Sequence, residues 1–410
     1  MKLVKMNMKI RLYPSKVDIN DEGEEIVSFD KIETNIRNAA FIWNKELEFI
    51  NNFKNSLIQH GYKDRVKVNK TACDLILNML RNEFPDLEKS ESSSRQQVGV
   101  DLKTAFDRYN NPNLKSRYPR FKSKKNEKTG FRIMNNNNVR LQKNKYGGNR
   151  IKLAKLGLAK YKTSKEYEIL LRQGSDPNDK SVTIKHVTVK KEHEKYYAII
   201  NIECMHPIVE KDKQTEQIGM DIGCGDLAVL SNKEIIPNLD LKHEVRQIKH
   251  YQREMSHHKV GSIRYRQAKA LFHKWHTKLI NKRNDYYNKQ SLKIIKKSTF
   301  IAVQNENIIK WKKLKNLSKK LQINAPRKFM DMIEHKAHWN NIQFIKVPKS
   351  FASTQICSNC GEKNKNISGL GKIGIRNWKC PKCGKYHNRD INAAINILNK
   401  GLETVGTTVQ

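Results

Sequence analysis

The sequence predicts an α+β protein of several domains, and three observations carry that prediction. Alternating, β-branched stretches that read as strands stand on either side of a long run with apolar residues at three- and four-residue steps. After Glu216 short apolar strands alternate with helical stretches, and a four-cysteine pattern lies near the C-terminus. The 410 residues leave room for two to four units of about 100–200 residues. Lys and Arg number 80 against 41 Asp and Glu, a formal charge of +39. With a pI near 9.9, 37% apolar residues and a mean hydropathy of −0.77, the chain reads as a surface-heavy soluble protein. Such an excess gathers polyanions, either nucleic acid or an anionic membrane face. The longest apolar runs, Phe300 to Val303 and Tyr197 to Ile200, fall far short of the ~18 residues of a membrane span. Met1-Lys-Leu-Val-Lys-Met-Asn-Met has no apolar core of signal length, so a cytoplasmic protein is expected, associated with the nucleoid when it acts.

Residues 6–14 alternate Met8, Ile10 and Leu12 with Lys9 and Arg11 and stop at Pro14, a strand. Ser28-Phe-Asp then opens a helix with Ile32, Ile36, Ala39, Trp43, Leu47 and Ile50 on one face, and Lys67–Phe84 and Ser92–Tyr109 read as two more. The block ends at Asn110-Asn-Pro-Asn. In Lys115-Ser-Arg-Tyr-Pro-Arg-Phe-Lys-Ser-Lys-Lys, aromatics interleave with cations, so Tyr118, Arg120, Phe121, Lys122, Lys124 and Lys125 are nucleic-acid candidates. A charge run of this kind also suits a solvated loop. Residues 131–212 read as strands that could close a small barrel with strand 6–14, interrupted by the helical block. Gln217-Ile-Gly-Met-Asp and Asp226-Leu-Ala-Val-Leu-Ser read as strands, residues 241–297 as a basic helical region, and 299–304 and 342–347 as further strands. Asp390 opens a closing helix.

Of the seven cysteines, Cys73, Cys204 and Cys224 are scattered, whereas Cys357, Cys360, Cys380 and Cys383 spell C-x2-C-x19-C-x2-C. Thiolates two residues apart give the bite of a tetrahedral zinc ion, and Gly361 and Gly384 let each knuckle turn. A closed site of four thiolates is structural, so chemistry must lie elsewhere. Asp221 follows one strand, Glu306 another, and Asp390 starts a helix. Carboxylates on rigid elements are what two-metal phosphodiester hydrolysis needs, with Mg2+ ions about 4 Å apart. Taken singly, an Asp after a strand or at a helix start is often a turn residue or an N-cap, Asp390 above all.

Gly219-Met-Asp-Ile-Gly with Leu227-Ala-Val-Leu-Ser, Glu306-Asn-Ile, Thr354-Gln-Ile-Cys-Ser-Asn-Cys-Gly, Cys380-Pro-Lys-Cys-Gly and Asn388-Arg-Asp-Ile-Asn-Ala-Ala-Ile-Asn-Ile resemble TnpB proteins, the OrfB-type products of bacterial and archaeal insertion sequences. Lys9-Ile-Arg-Leu-Tyr-Pro and Tyr118-Pro-Arg-Phe-Lys-Ser-Lys-Lys are similar to that family's signatures, so the resemblance spans essentially the whole chain. It implies an RNA-guided DNA endonuclease related to compact type V CRISPR effectors. It also implies a wedge β-barrel over 1–14 and 119–212, a helical recognition domain over 15–118, an RNase H-like (RuvC) nuclease domain over 213–350 and 385–410, and a zinc ribbon over 351–384. By that similarity Asp221, Glu306 and Asp390 take the catalytic metal-binding positions, with two magnesium ions expected, and the four cysteines take the positions of one structural zinc. One departure is visible: after the first acid the family usually continues Gly-Val-Lys-Asn, and here it is Gly223-Cys-Gly-Asp226.

The partners then expected are a guide RNA from the element's own locus and a double-stranded DNA target, with no membrane, and a monomer is favoured. Base pairing would supply the sequence specificity, with the protein reading a short adjacent motif. Two alternatives stand beside this reading: a nucleic-acid-binding regulator of transposition in which catalysis is dispensable, and a type V effector of the same fold.

Overall fold

The computed structural model describes residues 2–19, 23–62, 67–123, 130–135, 139–143, 148–176, 178–192, 195–206, 209–223, 225–305, 315–367 and 375–406. They form two compact units, residues 3–205 and residues 206–410 together with the first two.

In the first unit Ser28 caps helix α1 (Phe29–Gln59), its hydroxyl accepting from the Lys31 N–H at 3.1 Å. The expected stripe is buried at Ile32, Ile36, Ala39, Leu47 and Ile50, whereas Trp43 is half-buried and Ile42 takes the inward place beside it. Helices α2 (Lys70–Glu83) and α3 (Ser92–Asn110) pack beside it through Cys73, Leu102 and Phe106. Glu46 is fully buried in α1, and among the described residues neither carboxylate oxygen has a hydrogen-bond partner. Burial, reinforced by Asp74, pushes this carboxyl up to about 8, so it is neutral at pH 7.

The strands of this unit are β1 (Lys2–Tyr13), β2 (Gly130–Met134), β3 (Arg140–Lys143), β4 (Asn149–Leu153), β5 (Gly157–Lys162), β6 (Val182–Glu192) and β7 (Lys195–His206). They join one sheet in the order β2-β6-β7-β1-β5-β4-β3. The β1 alternation holds, with Val4, Met8, Ile10 and Leu12 buried. The expectation of strands throughout 131–212 needs a correction, because Lys165–Gln173 is a helix, α4, capped by the Ser164 hydroxyl. Its Tyr-Glu-Ile-Leu-Leu core carries both β-prone and helix-prone residues, and the cap decides.

The second unit is built on strands β8 (Glu216–Asp221), β9 (Ala228–Leu230), β10 (Ile235–Ile236), β11 (Ser298–Gln304) and β12 (Gln343–Val347), in the order β10-β9-β8-β11-β12. The first three pair antiparallel, and β8, β11 and β12 run parallel. β11 is covered on both faces, so its sequence is continuously apolar from Phe300 to Val303. The basic region forms two helices, α5 (Lys242–His257) and α6 (Ile263–Lys297), broken at Gly261. Helices α7 (Lys315–Asn324) and α8 (Pro326–Trp339) had no sequence expectation. Tyr287 and Ile294 of α6 pack with Phe329 and Ile333 of α8 against Ile218, Met220, Ile301 and Val303. The opposite face takes helix α9 (Arg389–Thr404), whose Ile397 and Leu402 meet Phe300, Ala302 and Val347. No described helix is long and apolar enough to cross a membrane.

Candidate active site and metal centre

Strand parity places the first acid. Ile218 and Met220 point to the α6–α8 core, so Gly219 and Asp221, two apart, share the α9 face. A Cβ at Gly219 would lie 2.1 Å from the Ala394 carbonyl oxygen and 2.7 Å from the Leu398 backbone nitrogen. Only a glycine lets α9 approach that closely. Gly401 does the same lower on the helix, where a Cβ would fall 2.5 Å from that of Ala302. Asp390 stands four residues before Ala394, on the same side of the helix. The fold therefore brings Asp221 and Asp390 to one face of the sheet.

Asp390 is not the helix cap. That role falls to Asn388, whose side-chain oxygen accepts from the N–H groups of Asp390 and Ile391, each at 3.1 Å. The Asp390 carboxylate instead accepts from Arg376 Nη1 at 2.7 Å. Arg376 also reaches the loop after Asp221, its Nη2 lying 3.3 Å from where a Gly225 Cβ would stand. Sequence reasoning missed Arg376, which carries no local signal because its partners are distant in sequence. Glu306 lies outside the described residues. Gln304, the last residue of β11, donates to the Phe351 carbonyl at 2.7 Å and accepts from the Ser353 hydroxyl at 2.6 Å. Asn396 of α9 donates to the Ser353 and Ile356 carbonyls at 2.8 and 2.7 Å, tying that strand end to α9 and to the approach to Cys357.

The four cysteine sulfurs lie within 4.8 Å of one another. Cys357 and Cys383 are 3.7 Å apart, Cys360 and Cys380 3.6 Å. A tetrahedral ion with Zn–S near 2.3 Å sets sulfurs about 3.8 Å apart, so the cluster fits zinc. Gly361 and Gly384 have φ of +75° and +71°, the left-handed turn that closes each knuckle. Strands β13 (Asn377–Lys379) and β14 (Tyr386–Asn388) pair behind the site, stacking Trp378 on His387, and His387 Nε2 lies 3.0 Å from Cys357 Sγ. Such an imidazole orients a metal-bound sulfur.

In the first unit the interleaved segment divides in two. Tyr118 packs edge-on to Phe106 and Tyr109 and donates to Asn51 at 2.7 Å. The Lys122 backbone is gripped by the Asn44 side chain, at 2.7 Å through its N–H and 3.0 Å through its carbonyl, and its ammonium sits 4.4 Å over Trp43. Trp43 Nε1 donates to the Arg120 carbonyl at 2.9 Å. Arg120 and Phe121 are exposed, while Lys124 and Lys125 lie outside the described residues. Burial lowers the Lys122 ammonium's pKa, against the pull of Asp101 and Glu46.

The structure defines a mixed α/β protein in which a partly parallel sheet carries Asp221 and adjoins a four-cysteine cluster. Comparison with known proteins narrows it. Residues 186–315 match the OrfB family described as a probable transposase, and residues 327–397 match the Cas12f1-like TNB domain. A protein of Streptomyces pristinaespiralis named "Putative RNA-guided DNA endonuclease" is 24% identical over 98% of this chain and 90% of its own length. "Putative RNA-guided DNA endonuclease InsQ" of Escherichia coli K12 is 25% identical over 77% of this chain and 76% of its own. The fold is similar to that of a chain in the cryo-EM structure of the Cas12f1–sgRNA–target DNA complex, with a TM-score of 0.53 at 14% identity, covering 97% of this chain and 99% of that one. The chain is thus similar to TnpB-type proteins.

Proposed function

We propose that this chain is an RNA-guided DNA endonuclease encoded by an insertion sequence, hydrolysing phosphodiester bonds at the Asp221–Asp390 face. The observation that carries the chemistry is the close seat of α9 on Gly219, which sets two carboxylates on one side of a sheet. The strand order, with three parallel strands and two antiparallel ones beyond β8, supports an RNase H-like assignment. Asp221, Asp390 and, by its sequence position, Glu306 are the magnesium-holding residues in this reading. Bound Mg2+ supplies an activated water and stabilises the leaving oxygen. Asn388 fixes the first turn of α9, and Arg376 fixes the Asp390 carboxylate. The four cysteines take one zinc, which holds the ribbon as a structural element. The domain reading follows the family: a wedge domain from the seven-stranded sheet, a recognition domain from α1–α3, and a nuclease domain with its ribbon.

The test is to express the protein with its native flanking DNA and sequence the RNA that purifies with it. One defined RNA ending beyond the element's border is expected, and DNA carrying that sequence should be cut in magnesium. The Asp221→Ala protein should bind the same RNA and cut nothing. Heterogeneous RNA together with full cutting by Asp221→Ala would overturn the reading.

A second reading, a compact type V CRISPR effector, is favoured by the TNB-domain match and the Cas12f1-like fold. A repeat array beside the gene, instead of insertion-sequence ends, distinguishes it.

A further inference from the structure

The first unit holds a cavity of about 320 Å3 between α1, α3, β2 and β6, lined by Gln97, Asp101, Lys122, Arg132, Thr188 and Lys190 among others. Three cations face one acid there. Asp101 is already engaged, by Arg132 Nη1 at 3.3 Å and by Gln97 Nε2 at 3.3 Å. Arg132 Nε is out of reach of solvent and, among the described residues, has no hydrogen-bond partner. Lys122 lines the cavity with its backbone gripped by Asn44, and its ammonium also lies 4.4 Å over the Trp43 ring. Gly130 leaves the Lys190 stem its path, since a Cβ there would meet Lys190 Cγ at 2.7 Å and the Val189 carbonyl oxygen at 2.5 Å. The volume lies at the lower end of small-ligand sites, enough for one compact polar group. A partly desolvated cluster with surplus positive charge gains most from an anion.

We propose that this cavity is an anion site that seats one phosphate of the bound nucleic acid on Lys122, Arg132 and Lys190. The assignment rests on the nucleic-acid reading above and adds a particular site to it. Asn44 is a positioning residue, fixing the backbone of Lys122 at the cavity's edge.

The test uses the full chain without magnesium, binding an oligouridylate and an oligothymidylate of equal length across a salt series. Arg132→Gln and Lys190→Gln should each lower the slope of log affinity against log salt by about 0.7 to 1, the mark of one lost phosphate contact. Arg132→Lys should restore most of it. Lys180→Gln, an exposed lysine outside the cavity, should change nothing. A loss on oligouridylate alone assigns the phosphate to RNA, on oligothymidylate alone to DNA, and on both to a shared backbone contact. Should Arg132→Gln fail to fold, Lys190→Gln decides by itself. Folded variants with wild-type slopes overturn the site and leave the function standing, whereas a wild-type chain that binds neither polymer overturns both.

Discussion

Arg376 donates to Asp390 at 2.7 Å, joining the cysteine ribbon to the first turn of α9. The pair lies at the surface, with the Arg376 side chain 54% and that of Asp390 26% exposed. In the proposed chemistry it would hold the carboxylate in place and would offer a positive group to the phosphate charge that develops there. Arg376→Ala is expected to slow DNA cutting by about ten-fold or more, roughly 1.4 kcal/mol of barrier, at saturating magnesium. Single-turnover cleavage checks it, and an unchanged rate would remove Arg376 from the site.

Gly219→Ala should be far more damaging than an ordinary strand substitution. The new methyl would stand 2.1 Å from a helix carbonyl, so α9 must move away from β8. Overpacking of this sort commonly costs about 1–3 kcal/mol and, against backbone, more. The expected readout is a lowered unfolding midpoint together with lost cutting. Gly401→Ala should follow the same pattern, since it meets Ala302 at 2.5 Å.

Elemental analysis should find one zinc per chain, lost in Cys360→Ser. The ribbon runs through β14 into Asn388, the α9 cap, so stripping zinc should impair cutting although the ion touches no substrate. Wild-type cutting by zinc-free protein would show the ribbon to be dispensable.

Glu46 gives a signed pH dependence. Its carboxyl titrates near 8 in the fold and near 4.5 in the unfolded chain. Between those values the unfolded state has lost a proton that the folded state keeps, so this group's contribution falls as pH rises from about 4.5 to about 8. Glu46→Gln should flatten that slope and stabilise the first unit at pH 8 by an amount on the order of a few kcal/mol. Denaturant midpoints at pH 5 and pH 8 test this, and an unchanged difference between them would refute it.

What the sequence made legible was local. The knuckle spacing of Cys357 to Cys383, the Ser28 cap with its stripe, and the β11 run each signal their structure within a few residues. Helix α4 was hidden because a nine-residue helix between strands has too little periodicity to outweigh its neighbours. Asp390 was ambiguous as cap or ligand until the fold placed Asn388 under the helix start. Tyr118 and Lys122 looked like a free aromatic–basic array, yet Asn51 and Asn44, far away in sequence, fold them against α1. Spacing does not encode such partnerships, because each is made across the tertiary structure.

The ribbon's two attachments have a consequence for inheritance. Its incoming segment is held by Asn392 and Asn396, through the Ile356 and Ser353 carbonyls, and its outgoing strand runs directly into the same helix. Entry and exit thus share one anchor, α9, with the polar clasp on one side and Asn388 on the other. A module so attached can be grafted from a relative as a unit provided that it brings an arginine at the place of Arg376, because that side chain and the grip of α9 together keep Asp390 at its station.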